Sequence, residues 1–331
     1  MSNALLTVDR LEKFFPIRRG LFSRVVANVK AVDDVSFDIA EGETLGLVGE
    51  SGCGKTTAGR TILRLLDPTG GSVLFGGRDV ASARGDTLWR LRRDMQIVFQ
   101  DPFGSLNPRM TIQGIVEEGL VVHRLGTKSQ RLEKVRETLE QVGLDPSYMN
   151  RYPHEFSGGQ RQRICVARAL ALGPRFMVLD EPISALDVSI QSQIINLLVA
   201  LREKFKLTYL FISHDLSVVE YISDRVAVMY LGQIVELAPA SRLYGKPSHP
   251  YSEALLSSIP TMDPKARRAR IVLPGDVPSP VNPPPGCRFH PRCPLRAKLD
   301  PADQCRCQEE VPELRELAPG HRTRCHFAEK M

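Results

Sequence analysis

One stretch of the sequence has the residue types and spacing of a loop that binds phosphate. Residues 49–56 read Gly-Glu-Ser-Gly-Cys-Gly-Lys-Thr and fit the pattern G-x-x-x-x-G-K-[ST] at each fixed position. In such a loop, backbone N–H groups and the start of the following helix face the phosphate oxygens. Lys55 would supply a point charge to the β- and γ-phosphates, and the Thr56 hydroxyl would ligate Mg²⁺. The predicted nucleotide-binding residues here are Gly49, Glu50, Ser51, Gly52, Cys53, Gly54, Lys55, Thr56 and Thr57.

Cys53 within this loop leaves two interpretations open. The residue contributes only its backbone to the loop, or its place at the start of a helix lowers the pKa of the thiol and makes it reactive.

A pair of acids at the end of an apolar run supplies a second part of the same chemistry. Residues 176–181 read Phe-Met-Val-Leu-Asp-Glu, which is the pattern of a buried strand that ends in two carboxylates. Because adjacent side chains on a strand point in different directions, the two acids can take two roles. Asp180 would hold Mg²⁺, and Glu181 would orient and deprotonate the attacking water. The sequence therefore predicts an enzyme that hydrolyses a nucleoside triphosphate.

The elements that must position these residues alternate between strand and helix patterns, which predicts an α/β fold. Strand patterns lie at 31–39, 44–48, 176–179 and 207–212, and helix patterns at 56–66, 130–142, 161–172 and 189–204. After about residue 245 the amino-acid composition changes, because eight of the 24 prolines fall between Pro274 and Pro294. Proline disfavours helix and central strand, so extended or turn-rich chain is expected there. We therefore predict one domain at 1–245 and a small Pro/Cys-rich extension at 246–331.

The composition excludes several classes of protein. Of 331 residues, 42% are hydrophobic and 25% charged, and the formal net charge is +6. These values are ordinary for a globular protein and exclude a disordered, collagen-like or coiled-coil chain. No apolar run approaches the roughly 18 residues needed to cross a bilayer, and the first residues lack the features of a secretion signal. We expect a cytoplasmic chain that would need partner chains for any work at a membrane.

Residues 156–163, Phe-Ser-Gly-Gly-Gln-Arg-Gln-Arg, resemble the signature sequence of ABC-type ATPases. They place a serine and two glycines at a predicted helix start, which is another N-terminus suited to an anion. The resemblance implies that this segment faces the γ-phosphate bound by the opposite subunit of a head-to-tail dimer, with two ATP molecules between the subunits. The residues concerned are Ser157, Gly158, Gly159 and Gln160.

The remaining elements of that family are present in order. Gln100 resembles the glutamine that senses Mg²⁺ and the γ-phosphate, and His214 resembles the switch histidine that contacts the γ-phosphate. Asp187 lies in a segment that resembles the contact with the partner subunit. Phe15 is expected to stack on adenine, and Phe14 is its rival. The resemblance covers about residues 5–245 and implies a RecA-like core with a parallel sheet, an antiparallel β subdomain, and a helical subdomain at about 101–165.

Three features narrow the resemblance to ATPases of dipeptide/oligopeptide-type importers: residues 31–37 together with 46–52, residues 249–256, and residues 283–294. Cys53, where that branch usually has Ser, and Phe156, where Leu is common, depart from its pattern. The resemblance implies a subunit that energises import of short peptides on the cytoplasmic face of the bacterial inner membrane. Its implied partners are a second, paralogous ABC ATPase, two transmembrane permease subunits and an extracytoplasmic peptide-binding protein.

Other functions are open at this stage. A similar ATPase would serve an importer of nickel chelates or glycosides. A soluble nucleic-acid-associated ATPase of the same superfamily would use the tail as a zinc knuckle, but the tail offers only Phe289 and Phe327 for base stacking. If the chain were a small-molecule kinase, the signature-like sequence at residues 156–163 would have no explanation. We therefore expect no nucleic-acid partner.

Five of the seven cysteines lie between Cys287 and Cys325. A disulfide framework is not expected in reducing cytoplasm, and the paired C-x-x-C spacing of zinc and ferredoxin sites is absent. The histidines of the tail leave a Cys₃His zinc site open, and unmetallated thiols are a further alternative. The resembled branch carries four cysteines thought to bind a [4Fe–4S] cluster. By that resemblance the ligands are Cys287, Cys293, Cys307 and Cys325, with Cys305 as the rival of Cys307.

Overall fold

A computed structural model describes residues 4–20, 23–259 and 270–331. The described strands are β1 (Ala4–Arg19), β2 (Arg24–Ala40), β3 (Thr44–Val48), β4 (Gly70–Phe75), β5 (Arg78–Asp79), β6 (Met95–Val98), β7 (Phe176–Asp180), β8 (Thr208–Ile212), β9 (Arg225–Tyr230), β10 (Gln233–Pro239), β11 (Arg315–Ala318) and β12 (His321–Thr323). The described α-helices are α1 (Lys55–Ile62), α2 (Gly85–Asp94), α3 (Pro102–Ser105), α4 (Ile112–Val122), α5 (Lys128–Gln141), α6 (Gly158–Leu170), α7 (Val188–Phe205), α8 (Leu216–Ile222), α9 (Ala240–Gly245), α10 (Pro250–Leu256) and α11 (Pro301–Glu309). Among these helices, none combines the length and the apolar character that a membrane crossing requires.

The chain divides into two compact units. We call the first the signature unit; it comprises the start of the chain to Leu5, Ile39–Thr44 and Ser82–Ser213. We call the second the phosphate-loop unit; it comprises Leu6–Asp38, Leu45–Ala81 and His214–Met331.

In the signature unit, three parallel strands lie in the order β6-β7-β8. Each residue of β7 and β8 is buried, as expected for apolar strands that are covered on both faces. Helix α6 packs against α3, α4, α5 and α7, and it buries Ile164, Cys165, Val166 and Ala167. The helix predicted at 130–142 is α5, which begins after a capping box formed by Thr127 and Gln130. The local patterns therefore predicted these elements to within a few residues.

The phosphate-loop unit contains two groups of strands. The first is a sheet in the order β2-β1-β4-β5, in which β1 pairs with β4, and β4 with β5, in antiparallel fashion. The second has the order β3-β9-β10-β12-β11. Strand β3 pairs with β9 in parallel, whereas the other neighbours pair antiparallel. An α/β fold with parallel strands, a separate antiparallel sheet and a helical region is thus confirmed.

The C-terminal tail follows the prediction of turn-rich chain over residues 274–294, which hold no α-helix or β-strand, but it is more ordered beyond them. It contains α11 and the hairpin β11–β12, and β12 pairs with β10. Phe289 is 1% exposed, and its ring lies 5.3 Å from that of Tyr230 and 5.4 Å from that of Tyr251. The proline content indicates neither these elements nor the burial of Phe289, because their partners lie far away in the sequence. The boundary at residue 245 stays a prediction.

Candidate active site

The phosphate loop connects the buried strand β3 to helix α1. Gly49, Gly52 and Gly54 all have positive φ angles, of 153°, 79° and 110°. A Cβ atom at Gly54 would collide with the backbone carbonyl oxygen of Ala31. Only glycine combines this backbone conformation with so close an approach of another chain segment. The glycines therefore fix the path of the loop into the helix.

Lys55 lies beneath the loop with 5% of its surface exposed. Its ammonium group donates hydrogen bonds to the carbonyl oxygens of Gly49, at 2.7 Å, and of Glu50, at 3.1 Å. A buried cation that is held by neutral carbonyl groups is well suited to attract phosphate oxygens.

Glu50 is bonded to two residues that follow the predicted ATPase domain. Its backbone N–H donates to the hydroxyl oxygen of Tyr251 at 2.9 Å. Its carboxylate accepts from the guanidinium of Arg292 at 2.9 Å and 3.3 Å. The sequence motifs indicate neither partner. Tyr251 lies in the segment 249–256, which resembles the importer ATPases without indicating this contact, and nothing in the local sequence marks Arg292.

Cys53 is buried, with 4% of its surface exposed. Burial raises the pKa of its thiol, and the nearby ammonium of Lys55 opposes this only in part. The interpretation of Cys53 as a thiol with a lowered pKa was therefore wrong. Its carbonyl oxygen accepts from the N–H of Gly232 at 2.9 Å, which agrees with a backbone role.

Two aromatic candidates for adenine stacking lie on β1. Phe15 is 36% exposed, with the Lys13 ammonium 5.0 Å from its ring centre. Phe14 is half-buried, and the Lys30 ammonium lies 5.7 Å from its ring centre. The greater exposure of Phe15 favours it as the stacking residue.

The acidic pair lies at the end of β7 in the signature unit. Asp180 is 1% exposed, whereas the backbone of Glu181 turns sharply with a φ of 48°. A non-glycine residue in this conformation is strained, and such residues are concentrated at functional sites. The Glu181 N–H donates to Ile212 at 2.9 Å, and its carboxylate accepts from the Gln100 amide at 2.9 Å. The fold thus brings together Gln100 and Glu181, which the sequence separates by 81 positions.

The signature segment forms the start of α6. The hydroxyl of Ser157 accepts from the Gln160 N–H, and the Gln160 side chain accepts from the Ser157 N–H at 3.0 Å. Gly159 is buried so closely against Ile190 that a Cβ atom would force that side chain to shift. Ser157 is exposed at the helix N-terminus, where backbone N–H groups and the helix dipole favour an anion.

Two further predicted residues, Asp187 and His214, are exposed. Asp187 precedes α7 in the signature unit, and the next residue, Val188, is 78% exposed. His214 is exposed in the phosphate-loop unit, where Asp215 caps α8 by accepting from the N–H groups of Ser217 and Val218. The phosphate-loop unit therefore contains the loop, Phe15 and His214. The signature unit contains the acidic pair, Gln100, the signature segment and Asp187.

Four tail cysteines line one small cavity of about 20 Å³ together with Phe289 and Phe327: Cys287, Cys293, Cys307 and Cys325. Cys305 is exposed and does not line it. Burial raises the pKa of the Cys287 and Cys325 thiols to about 12 in each case. Within residues 4–20, 23–259 and 270–331, no three or more His, Cys, Asp or Glu side chains are grouped so as to hold a metal ion. The expected iron–sulfur or zinc site is therefore not supported by the arrangement, although the four thiols share one cavity.

Comparison with known proteins identifies the family. The family described as "ABC transporter" matches residues 32–184, and "Oligopeptide/dipeptide transporter, C-terminal region" matches residues 235–299. The chain is 55% identical to the oligopeptide transport ATP-binding protein AppF of Bacillus subtilis (strain 168), covering 98% of both chains. It is 56% identical to a putative peptide import ATP-binding protein of Brucella ovis, covering 97% of both. The chain belongs to the ABC transporter family.

Solved structures of ABC proteins agree with this assignment. The dimeric ATP-binding cassette MJ0796, in a post-hydrolysis state bound to ADP and Pi, is 29% identical and has a TM-score of 0.63. It aligns with 71% of this chain and 98% of its own. CbiO1 of Clostridium perfringens, from the transporter complex cbiONQ, is 25% identical with a TM-score of 0.64, covering 74% of this chain and 92% of its own. As an ABC ATP-binding subunit, the chain hydrolyses ATP in support of transport, and the nucleic-acid alternative is not favoured.

Proposed function

We propose that this chain is the ATP-hydrolysing subunit that energises import of short peptides through two transmembrane permease subunits. One observation carries the proposal: the match to peptide-import ATP-binding proteins spans 98% of the chain and includes the C-terminal region. An extracytoplasmic binding protein would deliver the peptide. The chain itself would lie on the cytoplasmic face of the bacterial inner membrane, held there by the permease subunits.

The phosphate loop would bind the triphosphate. Backbone N–H groups of Gly49 to Gly54 face the phosphates, Lys55 turns from its carbonyl partners to the β- and γ-phosphate oxygens, and Phe15 stacks on adenine. Mg²⁺ would neutralise charge that develops on the phosphates, and its ligands would be Thr56, Gln100 and Asp180.

Glu181 would act as the general base. Its carboxylate is already oriented by the 2.9 Å hydrogen bond from Gln100, so that little reorganisation is needed before it accepts a proton from water. His214 would contact the γ-phosphate, and this contact would be lost after hydrolysis.

We further propose that the complete site needs two subunits. Ser157, Gly158, Gly159 and Gln160 would contact the γ-phosphate on a second ABC ATPase, a paralogue of this chain, and Asp187 would touch that subunit. Support comes from the exposure of Ser157 and Asp187 and from the dimeric state of the similar cassette MJ0796. Closure on ATP and opening after hydrolysis would then move the permease subunits, through helices within residues 101–165.

For the tail we propose a [4Fe–4S] cluster with a structural role, held by Cys287, Cys293, Cys307 and Cys325. The support is that these four thiols line one cavity while Cys305 is exposed. A cluster binds its cysteines on separate iron atoms, so the thiols need not converge on one point as zinc would require. Bound metal would cross-link the tail.

The decisive experiment is purification of the chain with its membrane subunits, followed by identification of the bound cargo and ATP-driven uptake into vesicles. We expect uptake of short peptides and none with Glu181→Gln. Specific uptake of a nickel chelate or a glycoside would replace the peptide assignment. Salt-sensitive binding to RNA or DNA without membrane partners would overturn the transport assignment altogether.

A further inference from the structure

Arg292 in the C-terminal tail makes a two-point contact with the phosphate loop. One guanidinium nitrogen lies 2.9 Å from Oε2 of Glu50 and another lies 3.3 Å from Oε1. The Arg292 side chain is 8% exposed and that of Glu50 is 28% exposed. Such a bidentate, largely buried pair fixes the direction of the carboxylate as well as its distance.

The position of Glu50 makes this contact relevant to phosphate binding. The residue is the second of the loop, and its carbonyl oxygen accepts from the Lys55 ammonium at 3.1 Å. A carboxylate beside the binding site for a triphosphate repels the ligand unless a cation neutralises it. The guanidinium of Arg292, in direct contact with the Glu50 carboxylate, is placed to do this.

Three contacts together define the conformation of Glu50. Tyr251 accepts from its N–H, Lys55 donates to its carbonyl oxygen, and Arg292 holds its carboxylate. Tyr251 and Arg292 are also linked through Phe289, whose ring packs against Tyr251 and which lies three residues before Arg292. A shift of the tail segment would therefore reach the carbonyl group on which Lys55 rests.

We propose that Arg292 is a positioning residue for nucleotide binding: it holds and neutralises Glu50, so that the loop and Lys55 accept the phosphates. The inference rests on the proposed ATP site and assigns Arg292 no contact with the nucleotide. The C-terminal region thereby takes part in setting ATP affinity, although it lies outside the segment that matches the ABC transporter family.

The test measures equilibrium binding of MgATP to the full-length chain at low temperature. We expect Arg292→Ala to weaken binding about tenfold, which is the usual scale for losing a charge-assisted contact. Glu50→Gln added to Arg292→Ala should restore affinity to within about threefold of wild type, because the unpaired carboxylate is gone. The matched control is Arg306→Ala, since Arg306 is a tail arginine whose exposed pair with Glu310 lies away from the loop.

The rescue separates an effect that acts through the charge of Glu50 from simple support of the fold. If Arg292 only stabilised the tail, the double variant would bind no better than Arg292→Ala, and that result would overturn the proposal. Equal affinities of Arg292→Ala and Arg306→Ala would also overturn it. If Arg292→Ala does not fold, Arg292→Gln and Arg306→Gln, which also remove the charge, are compared by the same criterion. Lys55→Ala tests the ATP site itself: unchanged affinity in that variant counts against the proposed function rather than against Arg292.

Discussion

Shortening the side chain of Glu181 separates the presence of a base from its position. Glu181→Asp keeps the carboxylate but withdraws it by about 1.5 Å, the length of one carbon–carbon bond. The hydrogen bond from Gln100, now 2.9 Å, would stretch beyond 4 Å and be lost. A misplacement of about 1 Å costs on the order of 10²-fold in rate. We therefore expect Glu181→Asp to lower ATP turnover about 100-fold.

Glu181→Gln tests the chemistry in the opposite way. The amide oxygen can still accept from Gln100, so the geometry is kept while the base is removed. General-base catalysis contributes about 10²- to 10⁴-fold, and we expect a loss in this range with MgATP binding unchanged.

The assay is steady-state ATP hydrolysis by the assembled transporter, together with MgATP binding to each variant. Glu203→Gln is the control, because it makes the same chemical change at an exposed position of α7 in the same unit. Turnover within about threefold of wild type in Glu181→Gln would refute the assignment of the base. Near-normal turnover in Glu181→Asp alone would show that the contact with Gln100 does not position it.

Three further outcomes are expected. Gly54→Ala should abolish MgATP binding and lower the unfolding temperature, because its φ of 110° and the close carbonyl leave no room for a methyl group. Burial lowers the pKa of the His249 imidazole to about 3, whereas the unfolded chain takes up this proton near pH 6.5. The free energy of unfolding should therefore fall as the pH is lowered from 6.5 to 3, by up to about 1.4 kcal/mol per pH unit. The His249 Nδ1 caps α10 by accepting from the Tyr251 N–H, and an asparagine oxygen can keep that cap. Denaturant titrations should therefore show a shallower fall in His249→Asn. Iron measured in anaerobic preparations should drop to near zero in Cys307→Ser but persist in Cys305→Ser; one zinc and no iron in wild type would refute the cluster and leave a structural metal.

The parts of the fold that the sequence predicted are those governed by local patterns. Continuous apolar runs became buried parallel strands such as β7, and helical spacing became α5. The phosphate loop was recognisable because its backbone angles require glycine at fixed positions, as at Gly54. By contrast, Gln100, His214 and the signature residues were predicted from the resemblance to ABC-type ATPases.

The rest depends on contacts between distant residues, which leave no periodic signal. Arg292 and Glu50 are 242 positions apart, and a charged pair has no pattern that reveals it in one sequence. The hairpin β11–β12 was missed because proline-rich neighbours suggested irregular chain, while its strands are short and rely on β10 for stability. The raised pKa of Cys53 follows from its burial, which the helix-start position did not disclose.

Pairing of β12 with β10 also has a consequence for the solubility of shortened chains. Removing residues 315–331 would leave the backbone groups of β10 open to pairing with another molecule, a common route to aggregation. It would also take His321 away from the fully buried Glu236, whose carboxylate it contacts at 2.7 Å. In the intact chain, the outer strand of this group is β11, which has four residues and carries Arg315 and Glu316. A short, charged strand at this end of the group discourages further pairing beyond β11.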